Sequence, residues 1–321
     1  MSLTMVFSIL MIMGGCQRHN PPAQLPITPE NNLPEIAQLW NFQDPSATEE
    51  TFRRLLPKIP ADSLSYQLQV QTQIARTYGL RIQFEAAHLL LDSVASQLQP
   101  SYTTARLRYH LERGRAYNSN MVLDSAIVHF QQAWAIGQVH GPEVLAIDAA
   151  HMLGIAAPEE EQLTWNLKAL KMAETASTEA ARSWLGSLYN NIGWTYHDQG
   201  DYELALDHFL RGLEWRISVN DIQGAQIARW TVARTYRSLG RTTEALELQR
   251  ALRQEISTNK QNPDGYVHEE LGELFLMLDQ PDSAQVNFLQ AFDILSMDPW
   301  MQKYESDRLA RLKSLGKTIT P

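Results

Sequence analysis

From Asn190 to Trp215 the chain reads NNIGWTYHDQGDYELALDHFLRGLEW, and the spacing within it is that of two helices placed back to back. Ile192, Gly193 and Tyr196 fall at i, i+1 and i+4, on one face of a first helix. Ala205, Phe209 and Gly212 fall at i, i+4 and i+7, on one face of a second. Gly200-Asp201 between them supplies a helix stop and then an N-cap. The stretch therefore predicts a helical hairpin. Its small residues let two backbones approach, and the aromatic of one helix fills the space beside the small residue of the other.

The same signals return along the chain. Small residues matching Gly193 occur at Ala75, Gly114, Gly154, Gly193, Ala233 and Gly272, in steps of 39, 40, 39, 40 and 39. The ring three residues later recurs as Tyr78, Tyr117, Tyr196, Tyr236 and Phe275, with Ala157 in the third unit. Residues matching Ala205 recur as Ala87, Ala126, Ala245 and Ala284. No hairpin of this kind can bury its apolar face alone, so the units must stack. The third unit is irregular: after Met152-Leu153-Gly154 the turn runs early into LTWNLKALKMAE, as if about four residues were deleted, and Pro158 should end its first helix.

These residues resemble the tetratricopeptide repeat family. The period is longer than that family's 34 residues and is similar to the branch with repeats of about 40, found in bacterial regulatory proteins and kinesin light chains. The resemblance implies an all-α chain: a right-handed α-solenoid of about six helical hairpins over residues 67–296. Residues 35–66 hold N-terminal helices and a candidate degenerate repeat around Trp40 and Phe52, closed by Pro57 and Pro60. Residues 297–321 read as a C-terminal capping helix and tail, with Trp300, Tyr304, Leu309 and Leu312 on one face and Lys303, Arg308, Arg311 and Lys313 on the other.

The beginning of the chain has another character. Leu3 to Met13 reads LTMVFSILMIM, followed by Gly14-Gly15-Cys16. The run is too short to cross a bilayer and suits the apolar core of a signal peptide over residues 1–15. A cysteine directly after such a run resembles the lipobox of bacterial lipoproteins, with Met13 where that family usually has Leu. The resemblance implies lipidation of Cys16 and a lipid-anchored protein of the cell envelope. Gln17, in place of the aspartate linked with inner-membrane retention, favours the outer membrane. Residues 16–34 carry five prolines and read as a tether.

Composition narrows the function. Of 321 residues, 27 are Lys or Arg and 36 Asp or Glu, a net charge of −9, so no overall basic field is available to a nucleic acid. Cys16 is the only cysteine, which excludes disulfides within the chain and cysteine-built metal sites. Gly316-Lys317-Thr318 lacks the glycine a phosphate loop needs, and His268-Glu269-Glu270 lacks a second histidine four residues after the first. Glu159-Glu160-Glu161 opens a helix, where the macrodipole favours negative charge. The histidines are scattered over varied repeat positions. Nothing points to an enzyme, a cofactor or a metal.

What remains is binding. The tetratricopeptide resemblance implies that first helices line a concave face. Carried over unit by unit, that face holds Thr72, Arg76, Arg108, Arg115, Asn118, Asp148, His151, Asn190, Trp194, His197, Trp230, Arg234, Arg237, Glu269 and Glu273. Arg76, Arg115, Asn118, Asn190, Trp194, His197, Trp230, Arg234 and Arg237 are the candidate peptide-binding residues. Guanidinium groups grip carboxylates bidentately, which suits an extended acidic segment or a C-terminus. The residues leave an alternative open: Trp194 and Trp230 pack between neighbouring units, and the arginines pair with acids on adjacent helices. The expected function is a non-catalytic, envelope-anchored scaffold binding a protein or extended peptide. A ligand-sensing regulatory module and a surface glycan- or nutrient-binding lipoprotein stand as alternatives.

Overall fold

The computed structural model describes residues 33–317, so the expected signal peptide, Cys16 and all but the end of the tether lie outside the described residues. Among the described residues there is no β-strand. Six helical hairpins follow one another: Leu64–Leu80 with Phe84–Ala95, Thr103–Ser119 with Leu123–His140, Glu143–Ala156 with Glu159–Thr175, Leu185–Gln199 with Tyr202–Ser218, Ile222–Ser238 with Thr242–Thr258, and Gly265–Met277 with Pro281–Leu295. We number them hairpins 1 to 6. The chain divides into two compact units at Leu188/Tyr189, within the first helix of hairpin 4. Unit 1 holds the N-terminal helix Pro45–Leu55, hairpins 1–3 and a four-residue helix, Glu179–Arg182; everything from Tyr189 on belongs to unit 2.

One packing rule builds the hairpins. A Cβ added at Gly114, Gly193 or Gly272 would lie 2.5, 2.5 or 2.7 Å from the ring of Phe130, Phe209 or Phe288, sixteen residues later in each case. The three rings are buried. Where the small residue is Ala75 or Ala233, the residue sixteen later is Leu91 or Gln249, and no ring stands there. Hairpin 3 keeps the rule with a shortened arc. Its first helix ends at Ala156, Pro158 caps the second, and Asn166, only twelve residues on, occupies the place of the phenylalanine and donates to the Gly154 carbonyl at 3.3 Å.

Each of the other five hairpins turns in the same way. The N–H of Gln83, Val122, Asp201, Arg241 and Gln280 returns to the carbonyl of the repeat ring, Tyr78, Tyr117, Tyr196, Tyr236 and Phe275, at 2.9 Å every time. This is the six-to-one bond of a Schellman stop, which requires a left-handed residue just before the donor. That residue is Ile82, Met121, Gly200, Gly240 or Asp279.

Both ends depart from expectation. The preceding repeat is a single helix, Pro45–Leu55, capped by the Asp44 side chain; Phe52 is fully buried in a cluster with Val70 and Ile74, and no partner helix follows. Pro57 in the following 3-10 turn and Pro60 close that helix before hairpin 1 begins at Leu64. The single capping helix is in fact two, Pro299–Tyr304 and Ser306–Leu315, broken at Glu305 with φ −124° and ψ 32°. The break turns Met301 into the core in place of Tyr304, which is exposed, while Leu309 and Leu312 are buried as expected. Arg308 is committed to Glu269 and Arg311 to Glu273.

Candidate functional site

Within unit 1 the first helices stack in register. Gln69 accepts from Arg108 and Gln73 donates to Glu112, both across 3.3 Å and both 39 residues apart. This face is a polar network. Glu112, almost fully buried, receives Arg115 at 2.9 Å and stands 3.6 Å from Arg76, while Arg115 also binds Asp148. The Arg76 guanidinium lies 5.3 and 5.2 Å from the ring centroids of Trp40 and Phe42. Burial pushes the Arg108 pKa down, against the pull of Glu112 and Glu35. Asn118 sits half-buried near the end of its helix, its carbonyl taken by the Met121 N–H at 3.0 Å. Thr72 and His151 are enclosed by the fold. Thr72 is buried and donates to the Gln69 carbonyl; His151 is buried against Trp184, with ring centroids 5.0 Å apart.

In unit 2 the face gathers around Trp194. Its half-buried indole meets His197 at 5.1 Å, Phe209 at 5.3 Å and Trp230 at 6.2 Å between ring centroids. Trp230 is turned into the stack: it is 8% exposed, and its Nε1 donates to the Tyr266 carbonyl of the next hairpin at 3.1 Å. It is a stacking residue. Asn190 is half-buried on the same first helix as Trp194. Ser238 Oγ lies 2.9 Å from both His197 Nε2 and an Arg234 amino group, tying the two together. Arg234 and Arg237 converge on one buried carboxylate, Glu270, the former at 3.7 Å. Burial works against the Arg237 charge, yet Glu270 prevails and raises its pKa, whereas burial lowers that of Arg234. His197 is pushed down to about 4 by burial and by Arg234 and Arg237, and is neutral near pH 7.

The pattern of residues along the sequence gave no hint of one cluster. His110 and His129 of hairpin 2 face each other with Nδ1 atoms 3.0 Å apart, and His88 of hairpin 1 stacks on Tyr117 at 4.5 Å while bonding Arg113. Three helices contribute, so no spacing rule could collect them. Among the described residues no group of three His, Cys, Asp or Glu side chains could hold a metal ion. No described helix is long and apolar enough to cross a membrane.

Against this geometry stand the likenesses to known proteins. A family model described as a tetratricopeptide repeat matches residues 186–216, hairpin 4 almost entire. No curated protein sequence matches the chain. Among solved structures the chain is similar to the apo form of RapI: TM-score 0.64, 15% identity, 84% of this chain and 79% of that one.

The chain has the tetratricopeptide-repeat fold.

Two further neighbours are a signal-transduction ATPase with a tetratricopeptide repeat sensor from Pyrococcus horikoshii and NprR in complex with its cognate peptide NprX. The first gives a TM-score of 0.64 at 14% identity and covers 84% of this chain; the chain spans only 42% of that protein's length. The second gives 0.51 at 15% identity, over 85% of this chain and 78% of that one.

Proposed function

We propose that this tetratricopeptide-repeat protein is a non-catalytic scaffold that binds a protein or extended peptide on the first-helix face, and that Cys16 anchors it by lipid to the cell envelope. The observation that carries the binding reading is the group around Trp194: a half-buried indole on the first-helix face beside two arginines that share one carboxylate. Four guanidinium groups, those of Arg234, Arg237, Arg308 and Arg311, gather here with Glu269, Glu270, Glu273 and Glu305. Guanidinium groups on this face favour a ligand that brings a carboxylate of its own, and an indole beside them offers an apolar anchor. A fold neighbour captured with a peptide, NprR with NprX, supports the same use of the architecture. Preorganisation is the mechanism: the hairpins are already rigid, so the ligand alone loses entropy on docking.

The test is a peptide array probed with the purified protein, carrying acidic, neutral and C-terminally amidated sequences. Acidic or free-carboxylate peptides should be retained, and Trp194→Ala or Arg237→Ala should weaken retention at least tenfold with unchanged circular dichroism. Equal retention of neutral and acidic peptides, or indifference to both substitutions, discards this face. Trp230 is left intact because its removal would open the stack.

A further inference from the structure

The left-handed turn residue of hairpins 1 and 2 is out of keeping with its sisters. Hairpins 4 and 5 place Gly200 and Gly240 there, at φ +83° and +73°. Hairpins 1 and 2 place Ile82 and Met121, at φ +63° and +61°. A residue with a Cβ is uncommon in this region because its side chain crowds the backbone, more so for β-branched Ile82 than for unbranched Met121, and glycine at the same spot would relieve it. Neither side chain repays the strain by packing: Ile82 is 77% exposed and Met121 73%. Retained strain without a packing return points to a use.

The two tips are neighbours. Gln69 with Arg108 and Gln73 with Glu112 set a register of 39 residues between the first helices, and Ile82 and Met121 are likewise 39 apart. The Tyr117 ring, at the base of the second tip, stacks on His88 beside the first. Leu80, Val122 and Leu123 are exposed around them, so the edge presents five apolar side chains, with Gln83, Asn120 and Asp124 exposed among them. Its limit is marked by hairpin 3, whose second helix opens at this end with exposed Glu159, Glu160 and Glu161.

The occupant follows from the length of chain outside the described residues, whose reach exceeds the helix length of about 25 Å between Tyr66, where that chain joins, and the Ile82 tip. Leu33, the first described residue, is buried in the cluster of hairpin 1 with Tyr66 and Val70. Sixteen residues, Gln17 to Asn32, separate it from Cys16, a reach of at most about 60 Å when fully extended. In chain order the apolar tips belong to the two hairpins nearest the anchor, and glycine tips to hairpins 4 and 5. We propose that Ile82 and Met121 rest in the interfacial layer of the lipid bilayer to which Cys16 is tethered, and so orient unit 1 tip-down on the membrane. The inference rests on the anchoring given under Proposed function. Two tips bury too little apolar surface to bind alone; tethering raises their effective concentration at the bilayer until weak contacts suffice. The acids of hairpin 3 stay in water and set the depth. Because the contact is apolar, it is insensitive to salt.

The experiment places the photoreactive residue benzoylphenylalanine at position 82, 121 or 240 of the full chain. Cys16 is coupled to a maleimide lipid in vesicles of phosphatidylethanolamine and phosphatidylglycerol, three to one. After illumination, lipid adducts are expected at 82 and 121 at least tenfold above position 240, at low and high salt alike. Adduct yields at 82 and 121 no higher than at 240, or adducts to a second copy of the protein in place of lipid, overturn the proposal. The anchor reading is scored separately, by palmitate incorporation into the wild type and Cys16→Ser in a bacterial host. Since the thioether supplies the tether in the crosslinking, a failure of natural lipidation and a failure of tip contact appear as different results.

Discussion

Replacing Gly193 by alanine would test the glycine-on-phenylalanine packing that hairpins 2, 4 and 6 share. The added Cβ would stand 2.5 Å from Phe209 Cε1, 2.7 Å from Cδ1 and 2.9 Å from Cζ, about an ångström inside ordinary contact. Phe209 is 2% exposed and has nowhere to retreat. Overpacking of this kind costs about 1–3 kcal/mol, while alanine in place of glycine in a helix returns about 1 kcal/mol. Gly193→Ala should therefore destabilise by up to about 2 kcal/mol. Phe209→Leu, which leaves a void, should cost about 1–2 kcal/mol. The double variant recreates the Ala75/Leu91 pair of hairpin 1: the clash disappears, the methyl fills the void and the propensity gain remains. It should be more stable than Phe209→Leu alone, with a coupling energy of about 1–3 kcal/mol. Urea unfolding followed by helical circular dichroism, with the slope checked for constancy across the four proteins, measures the cycle. Additive effects, or a Gly193→Ala variant that shows the full helix-propensity gain, would refute the reasoning.

Four further outcomes are expected. Gln249, fully buried in the position that holds leucine or phenylalanine in sister hairpins, has neither amide atom bonded; Gln249→Leu should stabilise by about 1–3 kcal/mol in the same assay. Glu112→Ala removes the buried carboxylate that Arg76 and Arg115 share, leaves Arg115 its bond to Asp148, and should cost about 3–5 kcal/mol; a loss below about 1 kcal/mol would show that water already serves those groups. Ile82→Gly relieves left-handed strain and should raise the thermal midpoint by about 2–4 °C; a lower midpoint would contradict the strain. His151 is held down to about 4, against 6.5, chiefly by burial, so on acidification the unfolded chain takes the proton first. Its contribution is whole above about pH 6.5 and drains away toward pH 4, and His151→Gln should flatten the fall in stability across that window.

Much of the fold was legible because the hairpin is specified locally. Gly193 and Tyr196 on one helix, Ala205 and Phe209 on the next, and a turn between them are all fixed by spacing inside one repeat, and the recurrence of Ala75 through Gly272 multiplies the signal. The early turn of hairpin 3 was legible for the same reason, through Pro158. The broken end helix was not: Glu305 offers no proline or glycine, and only its place between Met301 and Leu309 in the core decides the kink. The candidate site was legible as a set of positions but not as a set of roles. Trp194 and Trp230 occupy related faces of sister helices, yet Trp230 donates to Tyr266 inside the stack while Trp194 remains half-open.

By itself the sequence determined that the chain folds into paired helices of nearly constant length, since one apolar face per helix and a small residue at each crossing allow little else. Only the tertiary structure decided which face of each first helix survives stacking, that Arg76 and Arg115 share Glu112, that Arg234 and Arg237 share Glu270, that His110 meets His129, and that His88 meets Tyr117 and Arg113. Apart from Arg115, which lies on the same helix as Glu112, those partners lie 19 to 36 residues apart on different helices, and the packing of helix on helix, which no single helix encodes, is what brings them within bonding distance.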